Sequence, residues 1–499
     1  MASIGIEGAS QKSAELARWL PDLRPADAII NPAKELLDAR TTEMSRSDGF
    51  VSAAGDRTKD SVVGARYVLN AQPDTTVLGA PDGWAEEFQQ VVEARFMLEA
   101  ESPACWLDAK RKLTFTDMVR LAVGCYTLGG EVVATGEWVR QADRPGCTAV
   151  SMVHAGRLSN KYDADDTQFM RRGVQLDNWG APVGYWFRNA HRYEPYAGAD
   201  PYTWQYVPRF LPWGRPQVLH IFEEMEPGQN RGIAAMVSVL KEMKMTKQYR
   251  DTVLQNAVTN ASYAAAIESE LPSDAVFTAI GQGQQGDASS VLGDYMAQLN
   301  AYVGGAGGIT MDGVKIPHLF PGTKLSFHPA QPVGDTTFDN RLLRHIATAF
   351  GFSFEEFTGD FTQTNYSSAK AAGVLTWRAM QTKKAKAANA MANFIYGLRL
   401  EEMIANGDVP LPPGRTRDDF YKPLHREAYC QADWIGASRG QIDEGKETKA
   451  AVERVTNNLS TYEDELGRLG KDWRKVFAQQ AREKKLLESL GLQQIKAAK

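Results

Sequence analysis

Four cysteines serve a chain of 499 residues, and Cys105, Cys125, Cys147 and Cys430 stand apart with no CxxC or similar spacing. That excludes a zinc knuckle and a disulfide framework and leaves free thiols as the expectation. No stretch approaches the roughly 18 uninterrupted apolar residues of a membrane span. The opening MASIGIEGASQKSAELARWLPDL has neither the basic nor the apolar region of a secretory leader. The expectation is a protein made and used in a cytoplasm, without membrane contact. A positive balance is missing too: at −5 the whole chain is not a phosphate-neutralising binder of nucleic acid, although local DNA contact stays open. There is no Walker A pattern and no HExxH, so neither nucleotide hydrolysis nor a zinc-type catalytic centre is expected, and no cofactor is implied.

What is present is ordinary folded-protein composition, 43% hydrophobic and 23% charged, in enough length for several compact units. Seven of the eleven tryptophans lie between Trp84 and Trp213, in a region of short alternating runs such as Glu131-Val132-Val133-Ala134-Thr135 and Val174-Gln175-Leu176. Turn signals at Asp177-Asn178-Trp179-Gly180 and Leu211-Pro212-Trp213-Gly214 separate them, and the region reads as α+β. Ahead of it, Asn31-Pro32 offers an N-cap and a first helical proline for a helix ending at Gly49. A long helix is expected from Arg231 to about Ser269, a shorter one after 290, and a β hairpin within 304–329. Thr336 to Phe350 is helical, with Leu342, Ile346 and Phe350 on one stripe. From Ser367 to Gly407 runs a helix about 60 Å long at 1.5 Å per residue. Residues 439–490 read as a helical hairpin, with a Ser460/Thr461 cap followed by Glu463.

Two familiar motifs occur as strings. Gly281-Gln282-Gly283-Gln284-Gln285-Gly286 is a GxGxxG but lacks the following strand and acidic residue of a dinucleotide site, and reads as a linker. Gly436-Ala437-Ser438-Arg439-Gly440 matches the nucleophile elbow of a serine hydrolase, yet no histidine follows His425, and that fold needs one after its serine. Asp163-Ala164-Asp165-Asp166 reads as a solvated loop rather than a metal pair. The cluster Lys383, Lys384 and Lys386, with Arg378, fits either phosphate contact or a solvated helix face.

A different scarcity marks GDFTQTNYSSAKAAG at 359–373: between His345 and Ala369 there is no Lys or Arg. Thr362, Gln363, Thr364, Asn365 and Tyr366 form a polar loop flanked by Glu355, Glu356 and Asp360. Helix capping by Ser367 or Ser368 accounts for part of this. A catalytic loop, a turn and a surface that something must slide past would each account for another part.

Several stretches, in order, resemble the portal proteins of lambda-type tailed bacteriophages: FTDMVRLAVGCYTLGGEVVA at 115, RGVQLDNWGAPVGYWFR at 172, VLHIFEEMEPGQNRG at 218, LLRHIATAFGFSFEEFTGDFTQTNYSSAKAA at 342 and the segment from ADWIGASRG at 432 to 485. The resemblance implies a closed ring of about twelve copies at one capsid vertex, assembled in the bacterial host cytoplasm and carried in the virion, with double-stranded DNA passing its channel without sequence readout. It implies an N-terminal arm at 1–30, an α+β wing at 31–287, stem helices at 288–303 and 336–357, a clip at 304–335, a channel loop at 358–367, a long wing helix and linker at 368–430, and a crown with tail at 431–499. Implied partners are the terminase large subunit, head-completion or adaptor proteins, and the major capsid and scaffold proteins. Lys315, His318, Lys324 and His328 on the clip are the docking candidates. A serine hydrolase at Ser438 and a helical assembly scaffold that handles no DNA are the competing readings.

Overall fold

The computed structural model describes residues 14–81, 83–194, 198–262, 308–311, 314–317, 336–362, 364–440 and 443–492. They belong to two compact units, one of residues 1–238 with 347–499 and one of residues 239–346. The larger unit begins with α1 (Ala26–Ser47), α2 (Gly49–Val62), β1 (Val68–Ala71), α3 (Thr75–Leu78), α4 (Trp84–Ala100) and α5 (Phe115–Gly124). Strands β2 (Glu131–Trp138), β3 (Thr148–Val153), β4 (Met170–Arg171), β5 (Val174–Leu176), β6 (Pro182–Arg188), β7 (Trp204–Pro208) and β8 (Val218–Phe222) follow. The smaller unit holds α6 (Leu240–Ser262), β9 (Gly308–Met311), β10 (Val314–Pro317) and most of α7 (Thr336–Phe350). The larger unit then resumes with α8 (Phe354–Thr358), α9 (Tyr366–Lys383), α10 (Asn389–Asn406), α11 (His425–Cys430), β11 (Ala432–Ile435), α12 (Glu444–Thr456), α13 (Tyr462–Arg468) and α14 (Trp473–Ser489).

This is an α+β fold with small antiparallel sheets, ordered β3-β2-β8 and β4-β5-β6-β7, and two-stranded pairs β1-β11 and β9-β10. Period-two alternation sends Val133, Val174, Leu176, Tyr185, Phe187 and Val218 into one buried cluster that joins the first two sheets. A π-turn at Cys125–Gly129 delivers α5 into β2. At its end Gly130 has φ +81°, and a Cβ there would run into the backbone of Ile233 and Ala234, so both conformation and space demand glycine.

The centre of the larger unit is α10, which buries thirteen of its eighteen residues, Arg399, Glu401 and Glu402 among them. Each charge is matched. Arg399 meets Glu99 at 2.6 Å, Glu402 accepts the backbone N–H of Cys147 (2.6 Å) and Thr148 (2.9 Å), and Glu401 pairs with Arg215 at 3.3 Å. A second buried cluster forms around Glu131, whose carboxylate takes Arg231 (2.6 Å), Lys34 (3.0 Å) and His220 (3.1 Å). Burial alone would raise the Glu131 carboxyl, but Arg231 and Lys34 outweigh it and hold it well below the usual range. Burial pushes His220 down, so the ring is neutral at pH 7 and donates to Glu131.

Several expectations need correction. Asn31-Pro32 does not start a helix: α1 begins at Ala26, with Pro32 inside it. Tertiary bonds hold the added turn, since Asp27 accepts from Asn230 (2.9 and 2.8 Å) and Asn31 donates to Asp166 (2.7 Å). Asp48 then ends α1 and caps α2 through Phe50 and Val51 N–H, a second helix the sequence reading passed over. The helix expected from Arg231 starts only at Leu240, after a 3₁₀ turn at Ala235–Val239, because Arg231 and its neighbours are engaged by Glu131. The run 336–357 is not one helix: Gly351 (φ +77°) separates α7 from α8. The C-terminal hairpin has a third, short helix between its arms. Its cap is Thr461 with Asp464 as the reciprocal partner, while Glu463 instead accepts from Asn70 (2.6 Å) and Gln72 (2.8 Å).

The hairpin expectation holds at β9 and β10, where Met311 faces Val314. The long helix also holds, as α9 and α10 joined by a π-turn at Lys384–Ala388 and stopped by Gly407 in the left-handed conformation. The cysteines are free thiols, Cys105 buried and the others half-buried. The first stem helix at 288–303, the GxGxxG at 281–286 and the helix end beyond Ser262 lie outside the described residues.

Candidate functional site

The polar loop lies between α8 and α9, and its own side chains build it. Ser353 caps α8, accepting from Glu356 N–H (3.2 Å) and donating back to the Glu356 carboxylate (3.3 Å). Gly359, at φ +78°, ends the helix by donating to Glu355 O (2.8 Å). Asp360 then makes an Asx turn, taking Thr362 N–H at 3.0 Å and Thr362 Oγ1 at 2.6 Å. These two bonds, the hydroxyl first, hold its carboxyl below the usual range. Thr364 reaches back to Glu355 (3.3 Å), and Asn365 Oδ1 accepts from Ser368 N–H (2.9 Å).

The N-cap of α9 is therefore Asn365, not Ser367 or Ser368. Of the three flanking acids only Asp360 is exposed. Glu355 and Glu356 are half-buried in the first turn of α8, where the helix dipole favours them. Thr362 and Asn365 are exposed and Thr364 half-buried, while Phe361 beside them is 53% exposed. Gln363 and the Tyr366 side chain lie outside the described residues.

The loop is free of Lys and Arg in sequence but not in space. Arg57, from α2, donates through Nη1 to Glu356 O and to Phe357 O (2.8 Å), and its other terminal nitrogen lies beside Gly359. Phe357 is buried between Phe50 and Phe350, at ring-centroid distances of 5.8 and 6.0 Å. Asp48 N-capping and the small-residue run VSAAGDR signal the helix that carries Arg57. Nothing in the sequence signals its partner three hundred positions away.

The four basic candidates do not form one surface. Lys383 donates to Phe350 O (2.7 Å), and burial brings its ammonium down to about 8. Lys384 donates to Trp434 O (2.8 Å), and burial lowers it too. Lys386 pairs with Glu223, and Arg378 is exposed. The π-turn fans these lysines toward three different segments. Of the other candidates, Lys315 lies on β10 with only its backbone described, and His318, Lys324 and His328 lie outside the described residues.

Ser438 follows β11, whose partner β1 runs antiparallel, unlike the parallel sheet of a hydrolase elbow, and among the described residues no histidine hydrogen-bonds to it. The acidic loop at 163–166 is structural rather than merely solvated: Asp163 pairs with Arg188, and Asp166 accepts from Asn31, Asn160 (2.9 Å) and Arg172 N–H (2.7 Å). Among the described residues, no group of three or more His, Cys, Asp or Glu is placed to hold a metal ion, and no helix is long and apolar enough to cross a membrane.

The described residues form an α+β body whose polar loop at 359–365 is shaped by hydrogen bonds among its own residues and to Glu355 and Ser368. Residues 12–384 match the family described as phage portal protein, lambda family. The portal protein of Escherichia phage N15 is 35% identical over 96% of this chain and 89% of its own length, and portal protein B of Escherichia phage lambda is 34% identical over 97% and 90%. The chain belongs to the lambda family of phage portal proteins. A solved structure of the neck of an empty gene transfer agent particle aligns over 91% of this chain and 95% of its own, at 13% identity and a TM-score of 0.39, too distant to carry an argument.

Proposed function

We propose that this chain is the subunit of a closed ring at one capsid vertex, through which double-stranded DNA is packaged and later ejected. The observation that carries the reading is kinship with two phage portal proteins along nearly the whole chain. The copies, about twelve in the capsid, meet head to tail, a contact that must close on itself to avoid filaments. In this reading 31–287 is the wing, 288–303 and 336–357 the stem, 304–335 the clip, 358–367 the channel loop, 368–430 the wing helix with its linker and 431–499 the crown. The terminase large subunit and head-completion proteins dock at the clip, and capsid and scaffold proteins surround the ring.

The channel loop works by weak adhesion. Each Lys or Arg on a phosphate adds a salt-dependent attraction that a moving duplex must break. A wall of Thr362, Gln363 and Thr364, with the ionised Asp360 repelling phosphate over about 8 Å at physiological salt, offers only short polar contacts. A many-fold ring cannot keep base edges in register, so sequence readout is not expected. Gln363→Lys is the direct test, because Asn365→Lys would also remove the cap of α9. Packaging by the Gln363→Lys protein is expected to slow and to become more salt-sensitive; packaging at the native rate and salt dependence would sink the sliding-wall idea.

A further inference from the structure

We infer that Arg57 is the positioning residue of the loop at 359–365, fixing its pose from a helix three hundred residues away in the chain. The loop's own hydrogen bonds are local: Asp360 with Thr362, Thr364 with Glu355, Asn365 with Ser368. Among the described residues these bonds give the loop a shape without tying it to other parts of the body.

Anchoring occurs at its base, through side chains from two other elements. Arg57 on α2 takes the carbonyls of Glu356 and Phe357. On α9, Thr376 Oγ1 accepts Ser353 N–H (3.1 Å) and Lys383 takes Phe350 O (2.7 Å). Phe350 ends α7, and Glu356 and Phe357 are the last residues but two and but one of α8, so both cations meet carbonyls that lack partners within the helix.

Arg57 is the last of these anchors before the loop. Two residues after Phe357, Gly359 turns through the left-handed region beside the same guanidinium. Among the described residues Arg57 forms no ion pair with a carboxylate, and the two hydrogen bonds it is seen to make, both through Nη1, go to these carbonyls. A cation at this point also places one positive charge beneath a loop whose own sequence carries none.

The inference rests on the channel-loop reading for its biological meaning, but its physical claim is separable. Amide hydrogen exchange on purified Arg57→Met protein is expected to show exchange at 359–365 accelerated about tenfold, with β2 and α10 unchanged. Native-rate exchange in the loop would overturn the inference. If Arg57→Met fails to fold, Arg57→Lys keeps the charge but shortens the reach, and it must also loosen the loop; native exchange in that variant overturns the inference equally. DNA packaging by the same variants separates the two readings. A loosened loop with normal packaging would contradict the channel role of the loop while leaving the positioning role of Arg57 in place.

Discussion

The two halves of the long helix both carry apolar residues at helical spacing but differ in their surroundings. In α10 the apolar stripe, and even Arg399 (2% exposed) and Glu402 (4%), are buried. In α9 Thr376 and Met380 are buried among the described side chains, while Leu375 is 67% exposed and Arg378 faces solvent. One half is the core of its own subunit. In the other, Leu375 and Arg378 are left open to solvent while Val374 and Trp377 are half-buried. The π-turn between them, where Lys383, Lys384 and Lys386 diverge, marks the change of surroundings.

The sharpest way to break this contrast is to remove one partner from the ionic core of α10. Glu402→Ala leaves Arg399 partly uncompensated and orphans two buried N–H groups, and is expected to cost about 3–5 kcal/mol in chemical denaturation. A loss below about 1 kcal/mol would mean that α10 is not the core.

Lys383, at the joint, gives a pH signature. Its folded value of about 8 lies below its usual 10.5, so between these values the unfolded chain holds more protons and stability rises with pH. Below about 8 the full penalty for burying the charge is present. Lys383→Met should flatten the rise between pH 8 and 10.5 in denaturation midpoints; an equal rise in both proteins would refute the buried assignment.

On the open half, Leu375→Ser should change subunit stability by less than about 0.5 kcal/mol. It should nonetheless reduce the assembled fraction in light scattering if that face meets a neighbour. Smallest is Lys386→Ala: its pairing with Glu223 is exposed and should contribute about 0.2–1 kcal/mol, fading in high salt.

How much of this was legible in the sequence follows from the range of the interactions. The stop of α10 at Gly407, the strand at Glu131 and the turns at Gly180 and Gly214 are written in local signals, and the structure has them. The start of α1 and the late start of α6 depend on partners far away in the chain, and periodicity does not carry that information; the break at Gly351 is local, a left-handed glycine whose N–H bonds Thr348 O, and the apolar stripe runs across it unbroken. The loop shows both. Its lack of positive charge could be read directly, but the capping role of Asn365 competes with a channel role on the same atoms, and Arg57 arrives from another helix. The lysine cluster shows the reverse error, since adjacent charges in sequence diverge wherever a π-turn rotates them apart.

Electron microscopy of the purified protein, with symmetry counted in top views, tests most directly whether the chain assembles into a ring with a bore for DNA. Closed rings are expected around a hole at least as wide as a duplex of about 20 Å. Monomers or closed dimers at high concentration, or rings with a narrower bore, would contradict it.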